Sequence, residues 1–384
     1  MKPAHPIPFN EPCFIGTEVD YLAQAARVNR KISGDGPFTK KCTDFFQERY
    51  APTRALLTTS CTDALEMSAL LLDIKPGDEV IVPSFTFVSS ANAFALRGAR
   101  LVFVDSRTDE PNVSIDRIAE AITPRTRAIV VVHYAGFACE MDGILALAND
   151  HGIPVVEDAA QAIESYYRGR RLGTLGHFGT LSFHETKNIV CGEGGMILIN
   201  RPEFVRRAEI IREKGTNRSA FFRGEVAKYS WVDLGSSFLP SELNAAYLFG
   251  QLEAVDAIQA RRVAIWNRYR DRLQPLQDRN VASLPVIPEH ATVNGHLFYL
   301  LCENLEVRTR LISSLKEAGI MATFHYIPLH SSGYFTELHD GRPLPNCDRF
   351  SATLVRLPLY FAMTDEIVDY IADQTLAFFG LKAQ

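Results

Sequence analysis

The sequence has no run of about 18 apolar residues, the length a helix needs to cross a bilayer, so membrane insertion is not expected. It has no CxxC spacing either. Its seven cysteines (Cys13, Cys42, Cys61, Cys139, Cys191, Cys302 and Cys347) stand singly, which argues against a zinc site or a redox pair and leaves reduced structural thiols. No metal is expected. Positive charge is not in surplus: 40 Lys and Arg against 45 Asp and Glu give a net charge of -5, with no general attraction for nucleic acid. An anionic ligand must therefore be held by a local site. Residues 1–13 carry Pro3, Pro6, Pro8 and Pro12 without the apolar core of a secretion signal, which predicts a cytoplasmic protein. Internal repeats, low-complexity segments and a GxGxxG at any strand-to-helix junction are also missing, the last disfavouring a Rossmann nucleotide site.

What is present is 384 residues of near-average hydrophobic content, enough for one large and one smaller domain. Short apolar runs at 55–57, 79–82, 100–104, 128–132 and 154–156 have no wet face and read as buried strands of a mainly parallel sheet. Segments 62–72, 89–96, 114–122 and 141–150 between them have helical length and spacing. The pattern predicts an α/β domain with helices on both faces. After residue 239 it changes: 241–274 reads as one long helical stretch, followed by Pro285 and Pro288. Strands are expected at 297–301 and 321–325, and helices at 307–318 and 365–379. The expected division is a large domain with an N-terminal arm over 1–254 and a small α+β domain over 255–384.

Ligands of open α/β sheets bind beyond the carboxyl ends of the strands, so the residues following each run carry the chemistry. After the first run, Ser60 or Thr62 in Thr58-Thr59-Ser60-Cys61-Thr62 caps a helix, whose start is either a plain cap or a phosphate site. Pro83-Ser84-Phe85-Thr86-Phe87 sets aromatic rings at the sheet edge, for the core or for stacking on a heterocycle. In Glu157-Asp158-Ala159-Ala160-Gln161 a carboxylate can hold a charged ring nitrogen or favour a helix start. Finally, Ser182-Phe183-His184-Glu185-Thr186-Lys187-Asn188 precedes Gly192-Glu193-Gly194-Gly195, where backbone can approach a ligand closely.

Ser-Phe-x-x-x-Lys-Asn followed by Gly-Glu-Gly-Gly, with Glu-Asp-Ala-Ala-Gln after a strand, resembles the DegT/DnrJ/StrS family of sugar-nucleotide aminotransferases over nearly the whole chain. The resemblance implies the pyridoxal-phosphate (PLP) aminotransferase fold type I, with Lys187 carrying the cofactor and moving the protons. It implies Asp158 at the pyridine nitrogen, Phe87 stacked on the ring and Gln161 near its O3′. The Ser60-Cys61-Thr62 turn, through the amides of Cys61 and Thr62, and the Ser182 hydroxyl would hold the phosphate. A homodimer with shared active sites is also implied. Here the sequence departs from the family: where many members carry Asn and Arg in the segment reaching the partner's cofactor, this one has Ser237 and Leu239. Ser237 can still donate a hydrogen bond; Leu239 cannot supply a charge.

Further stretches, His133-Tyr134-Ala135-Gly136, 211–224 and His325-Tyr326-Ile327-Pro328-Leu329-His330, are similar to one subgroup, the dTDP-4-amino-4,6-dideoxygalactose transaminases. That likeness implies glutamate as amino donor, dTDP-4-keto-6-deoxyglucose as acceptor, and a product destined for enterobacterial common antigen and related surface glycans. His133, Tyr134, Lys214, Arg218, Arg223, His325, Tyr326 and His330 are the candidate substrate contacts. The basic residues would grip the diphosphate while Phe221 or Phe222 stacks on thymine, or the run is a solvated basic loop. Other readings are amination at C3 or of another keto-deoxysugar nucleotide, and a non-catalytic regulator on the same fold. Dehydratases of the family carry histidine in place of the lysine, which Lys187 opposes.

Overall fold

The computed structural model describes residues 5–382. In chain order, helices α1 (Thr17–Ala23) and α2 (Pro37–Tyr50) lead into strand β1 (Arg54–Thr58). Then α3 (Cys61–Leu71), β2 (Glu79–Pro83), α4 (Ser89–Ala95), β3 (Arg100–Val104), α5 (Ile115–Ala121), β4 (Thr126–Val132), α6 (Met141–Asp150) and β5 (Val155–Asp158) alternate. A short hairpin, β6 (Tyr166–Tyr167) and β7 (Arg170–Arg171), precedes β8 (Phe178–Ser182), β9 (Gly195–Ile199), α7 (Val205–Arg212) and α8 (Arg218–Phe222). The chain ends with α9 (Glu242–Glu253), α10 (Val255–Asp278), β10 (Phe298–Leu301), α11 (Leu305–Glu317), α12 (Pro345–Thr353), β11 (Leu354–Leu357) and α13 (Asp365–Phe378).

Seven strands form the main sheet in the order β1-β9-β8-β5-β4-β2-β3, and β9 alone runs against its neighbours. Successive side chains of a strand point to opposite faces, so a sheet covered on both sides needs apolar residues at every position. Val80 and Val82 accordingly join the core on one face and Ile81 the core on the other, all fully buried. Burying each such side chain stabilises the fold by about 1.5–3 kcal/mol. Because β1, β2, β4, β5 and β8 run in one direction, their carboxyl ends, and the residues that follow them, gather at one edge.

Buried acids fix the helices around this sheet. Gly36 has no side chain with which to cap α2, so the Glu242 carboxylate accepts from the amides of Gly36 (3.0 Å), Phe38 (2.8 Å) and Thr39 (2.8 Å), tying α9 to α2. β10 and β11 pair antiparallel in a second sheet, where α10 packs against α13. Two expectations need correction. The stretch over 241–274 is two helices, broken at Ala254 (φ -103°, ψ 9°). No strand forms over 321–325, which runs extended beside β11 with only an isolated bridge between Thr323 and Arg356. Among the described residues no helix is long and apolar enough to cross a membrane, and no cluster of His, Cys, Asp or Glu could hold a metal ion. All seven cysteines are free and buried.

Candidate active site

At the carboxyl edge of the main sheet lies a cavity of about 470 Å³, a volume suited to a small cofactor with substrate. Its wall at one end is the start of α3. Ser60 adopts an extended backbone and its Oγ accepts from the Asp63 amide (3.0 Å), a cap that leaves the Cys61 and Thr62 amides for an anion. Gly195 allows this approach: a Cβ there would stand 2.3 Å from the Cys61 nitrogen, so any side chain would push β9 off the helix start. Ser182 closes β8 beside Gly195 and lines the same wall, as does Ser89, whose hydroxyl meets that of Thr62 at 2.8 Å.

Asp158, the last residue of β5, forms part of the cavity lining. Its carboxylate accepts from Ser90 Oγ (2.6 Å) and from the Ala160 amide (3.1 Å). Lys187 enters from the loop between β8 and β9. Its neighbour Asn188 anchors that loop, donating to the Asn294 carbonyl (2.8 Å) and to Gln259 Oε1 (2.9 Å) while accepting from His296 Nδ1 (2.9 Å). Burial pushes the Lys187 amine below its usual range; Cys61 and Asp158 pull it back up, and the Arg356 charge pushes it further down. Phe87, more than half exposed, offers a flat ring at the same cavity. This donor set fits PLP: free amides and hydroxyls for a phosphate, an acid for a ring nitrogen, an aromatic face for the ring, and a deprotonatable amine for the aldehyde carbon.

The far wall carries polar side chains from two directions. Gln161 is held by the Ala135 amide (2.7 Å to Oε1) and donates to Tyr326 Oη (3.1 Å). Tyr326 stacks on His325 with ring centroids 3.9 Å apart. His325 Nδ1 meets Tyr134 Oη at 3.2 Å, and its Nε2 receives a hydrogen bond from Arg356. Ser89, Ser90, His296 and Arg356 escaped the sequence reading. Arg356 had a signal, since it interrupts the apolar run Leu354-Val355-Arg356-Leu357, and a charge in a buried strand calls for a reason.

The structure brings Ser60, Cys61, Thr62, Phe87, Asp158, Gln161, Ser182, Lys187, His325 and Tyr326 together around the cavity, with Tyr134 behind His325. Other expected contacts lie elsewhere. His133 is fully buried, with Nε2 on Glu157 (3.0 Å) and Nδ1 accepting from the Cys139 amide (3.2 Å), so no nitrogen remains for a substrate. His330 is taken by Ser84 (2.8 Å) and Asp348 (3.3 Å). Arg218 pairs with Glu213 (3.0 Å) and lies over Phe222, while Arg223 pairs with Glu209 (2.8 Å) and Glu225 (2.6 Å). Neither these nor exposed Lys214 line the cavity of their own chain. Ser237 is also exposed away from it, and Leu239 packs closely on Gly34, a structural use for the residue that departs from the family pattern.

Comparison with known proteins agrees with this geometry. The model of the DegT/DnrJ/EryC1/StrS aminotransferase family matches residues 13–375. An uncharacterised protein of Methanocaldococcus jannaschii is 34% identical over 346 residues, 88% of this chain and 89% of that protein. The aminotransferase TlmJ of Streptoalloteichus hindustanus superposes with a TM-score of 0.90 at 30% identity, covering 98% of this chain and 99% of its own. Spr1654 of Streptococcus pneumoniae, assigned as a sugar aminotransferase and solved in PLP and PMP forms, superposes in its PLP form with a TM-score of 0.89 at 26% identity, covering 97% of this chain and 98% of its own.

Proposed function

From the premise that the chain belongs to the DegT/DnrJ/EryC1/StrS aminotransferase family, with PLP as cofactor and sugars as substrates, we propose that it transfers the amino group of glutamate to C4 of dTDP-4-keto-6-deoxyglucose. The product is dTDP-4-amino-4,6-dideoxygalactose, a building block for surface glycans of the enterobacterial common antigen type. The observation that carries the reading is Lys187, an amine kept below its usual range, facing the same cavity as Asp158 and the free amides of α3. When bound, the cofactor supplies an electron sink for the carbon that loses its proton.

This chain's residues do the rest. Cys61, Thr62 and Ser182 hold the phosphate, Phe87 stacks on the ring, and Gln161 lies near the ring oxygen. Asp158, oriented by Ser90, holds the proton at the pyridine nitrogen. Lys187 removes the proton from the α-carbon of the donor and, in the second half-reaction, gives a proton to C4 of the sugar. A base works best with a pKa near the working pH, which is the direction burial moves this lysine. The C4 assignment follows the resemblance of the His325-Tyr326 segment to the subgroup, and both residues line the cavity.

A homodimer completes the proposal. Trp231, Val232 and Leu234 are exposed beside Ser237, and a second copy covering that face would bring Ser237 to its own cofactor. Purified protein given glutamate and a panel of keto-sugar nucleotides, with NMR of the product, tests the substrate. A 4-amino-galactose configuration on dTDP is expected; amination at C3, or preference for another nucleotide sugar, overturns the assignment while leaving the aminotransferase chemistry intact.

A further inference from the structure

His296 lies just before β10, and the fold fixes both its backbone and its ring. The Arg262 guanidinium donates to the carbonyls of Gly295 (3.0 Å) and His296 (2.9 Å), while Asn294 Oδ1 accepts from the His296 amide (3.0 Å). Asn188 Nδ2 donates to the Asn294 carbonyl (2.8 Å) and to Gln259 Oε1 (2.9 Å). A backbone carbonyl only accepts, so the Asn188 oxygen is the atom that faces His296 Nδ1 (2.9 Å). Nδ1 must therefore carry the ring's proton. Burial, together with the charges of Lys187, Arg262 and Arg356, keeps the imidazole neutral, which leaves Nε2 bare and able only to accept. Nε2 has no partner among the described residues and is not sealed from solvent. Since the residue is only 5% exposed, that open edge is the one lining the cavity that Lys187 enters.

We propose that His296 is the positioning residue of Lys187: its Nε2 accepts a hydrogen bond from the lysine's amine whenever that amine is off the cofactor, and so holds it for the proton transfers. The inference rests on the aminotransferase reading above. When the amine's lone pair takes the donor's α-proton, the C–H bond breaks, its electron pair passes to the cofactor, and the amine becomes an ammonium. A positive charge then appears in an enclosed cavity, where a charge without polar partners is strongly disfavoured. A lone pair already turned toward it favours the charged form and needs no rearrangement as the charge develops. Two observations assign that lone pair to the lysine. Asn188, which fixes the ring, is the next residue of the chain after Lys187, so ring and amine share one support. The Lys187 amine itself makes no hydrogen bond or ion pair among the described residues, and its flexible stem lets it turn between cofactor and cavity wall. Of the other donors lining the cavity, Arg356 is bonded to His325, and the Thr62 and Ser89 hydroxyls to each other.

Two exchanges separate this role from a structural one, because each keeps a different half of the ring. In His296→Asn the amide reaches as far as Nδ1 and can still donate to Asn188, but nothing stands at Nε2. In His296→Gln the amide oxygen reaches the place of Nε2, and the bond to Asn188 is lost. With PLP-loaded protein and stopped-flow absorbance, His296→Asn should slow the glutamate half-reaction about ten- to a hundredfold. The slowed step should show a primary isotope effect with 2-deuterated glutamate, and the half-reaction with keto-sugar nucleotide should slow to a similar degree. His296→Gln should regain part of the rate, and cofactor affinity should stay within a few fold in both variants. Nitrogen-15 NMR of histidine-labelled protein loaded with pyridoxamine phosphate, which leaves the lysine free, reads the bond without turnover. The His296 Nε2 signal, identified by its loss in His296→Asn, should be that of an unprotonated nitrogen and should shift in Lys187→Ala. A proton on Nε2, or a signal that Lys187→Ala does not move, overturns the proposal. A parental rate in His296→Asn beside a slow His296→Gln overturns it in favour of a structural tie, and a loss confined to the sugar step would assign Nε2 to a sugar hydroxyl instead. A parent protein that does not react with glutamate refutes the aminotransferase reading, while the NMR comparison still decides whether Nε2 meets the amine.

Discussion

At the scale of single residues, the chemistry depends on side chains that hold other side chains. Asp158 is aimed by Ser90 and the Ala160 amide, so Ser90→Ala removes one of two hydrogen bonds to a carboxylate. The expected cost is about tenfold in the rate of the glutamate half-reaction, with PLP still bound, measured by stopped-flow absorbance. An unchanged rate would mean Asp158 needs no such support. The lysine gives a pH prediction. Its pKa is lowered by burial and held up in part by Asp158, and only the neutral amine can capture the cofactor aldehyde. Cofactor uptake by stripped protein should therefore level off at a pH below the ordinary lysine value of about 10.4. Asp158→Asn, which takes away an upward pull, should move that plateau to still lower pH; a shift upward would contradict the assignment. Lys187, Asp158 and the Ser60-Cys61-Thr62 turn were legible because each follows a strand in a distinctive local motif. Ser90 was not, since it is an ordinary residue of α4 that matters only through a contact 68 positions away.

At the scale of elements, apolar runs revealed the parallel strands well, because a sheet buried on both faces leaves no polar position to confuse the pattern. The break between α9 and α10 left no such mark. Ala254 is a strong helix former, and the turn there is imposed by tertiary packing rather than by local preference. His133 was misread for a similar reason: its neighbours in sequence do not reveal that Glu157, at the end of the adjacent strand, faces it across the buried side of the sheet. Glu157 also accepts from the amides of Gly173 (2.9 Å), Leu175 (2.7 Å) and Gly176 (2.6 Å), pinning the turn before β8. Glu157→Ala would orphan those donors and His133 together. A loss of about 3–5 kcal/mol in unfolding free energy is expected from denaturant titration; a loss below about 1 kcal/mol would show that the turn finds other acceptors.

At the scale of the whole molecule, one chain's sequence could not say which surface a second copy would cover. The segment from α8 to α9 leaves Phe222, Tyr229, Trp231, Val232 and Leu234 exposed, an apolar face that is costly in water. The paired Arg218 and Arg223 lie on the same segment, which is why a basic run that read as a phosphate grip does not meet its own chain's cavity. Sedimentation should give a dimer, and Trp231→Asp should shift it toward monomer with loss of activity. A fully active monomer would contradict the proposed sharing of active sites between two copies.

On the proposed function, Lys187 both holds the cofactor and moves the protons of an amino transfer between glutamate and a keto-sugar nucleotide. The most direct test is the visible spectrum of the purified, PLP-loaded protein through one complete cycle. Its absorption should be lost on adding glutamate and restored on adding dTDP-4-keto-6-deoxyglucose, whereas Lys187→Ala should complete no cycle. Turnover by Lys187→Ala within tenfold of the parent, or a parent spectrum indifferent to glutamate, would contradict the claim.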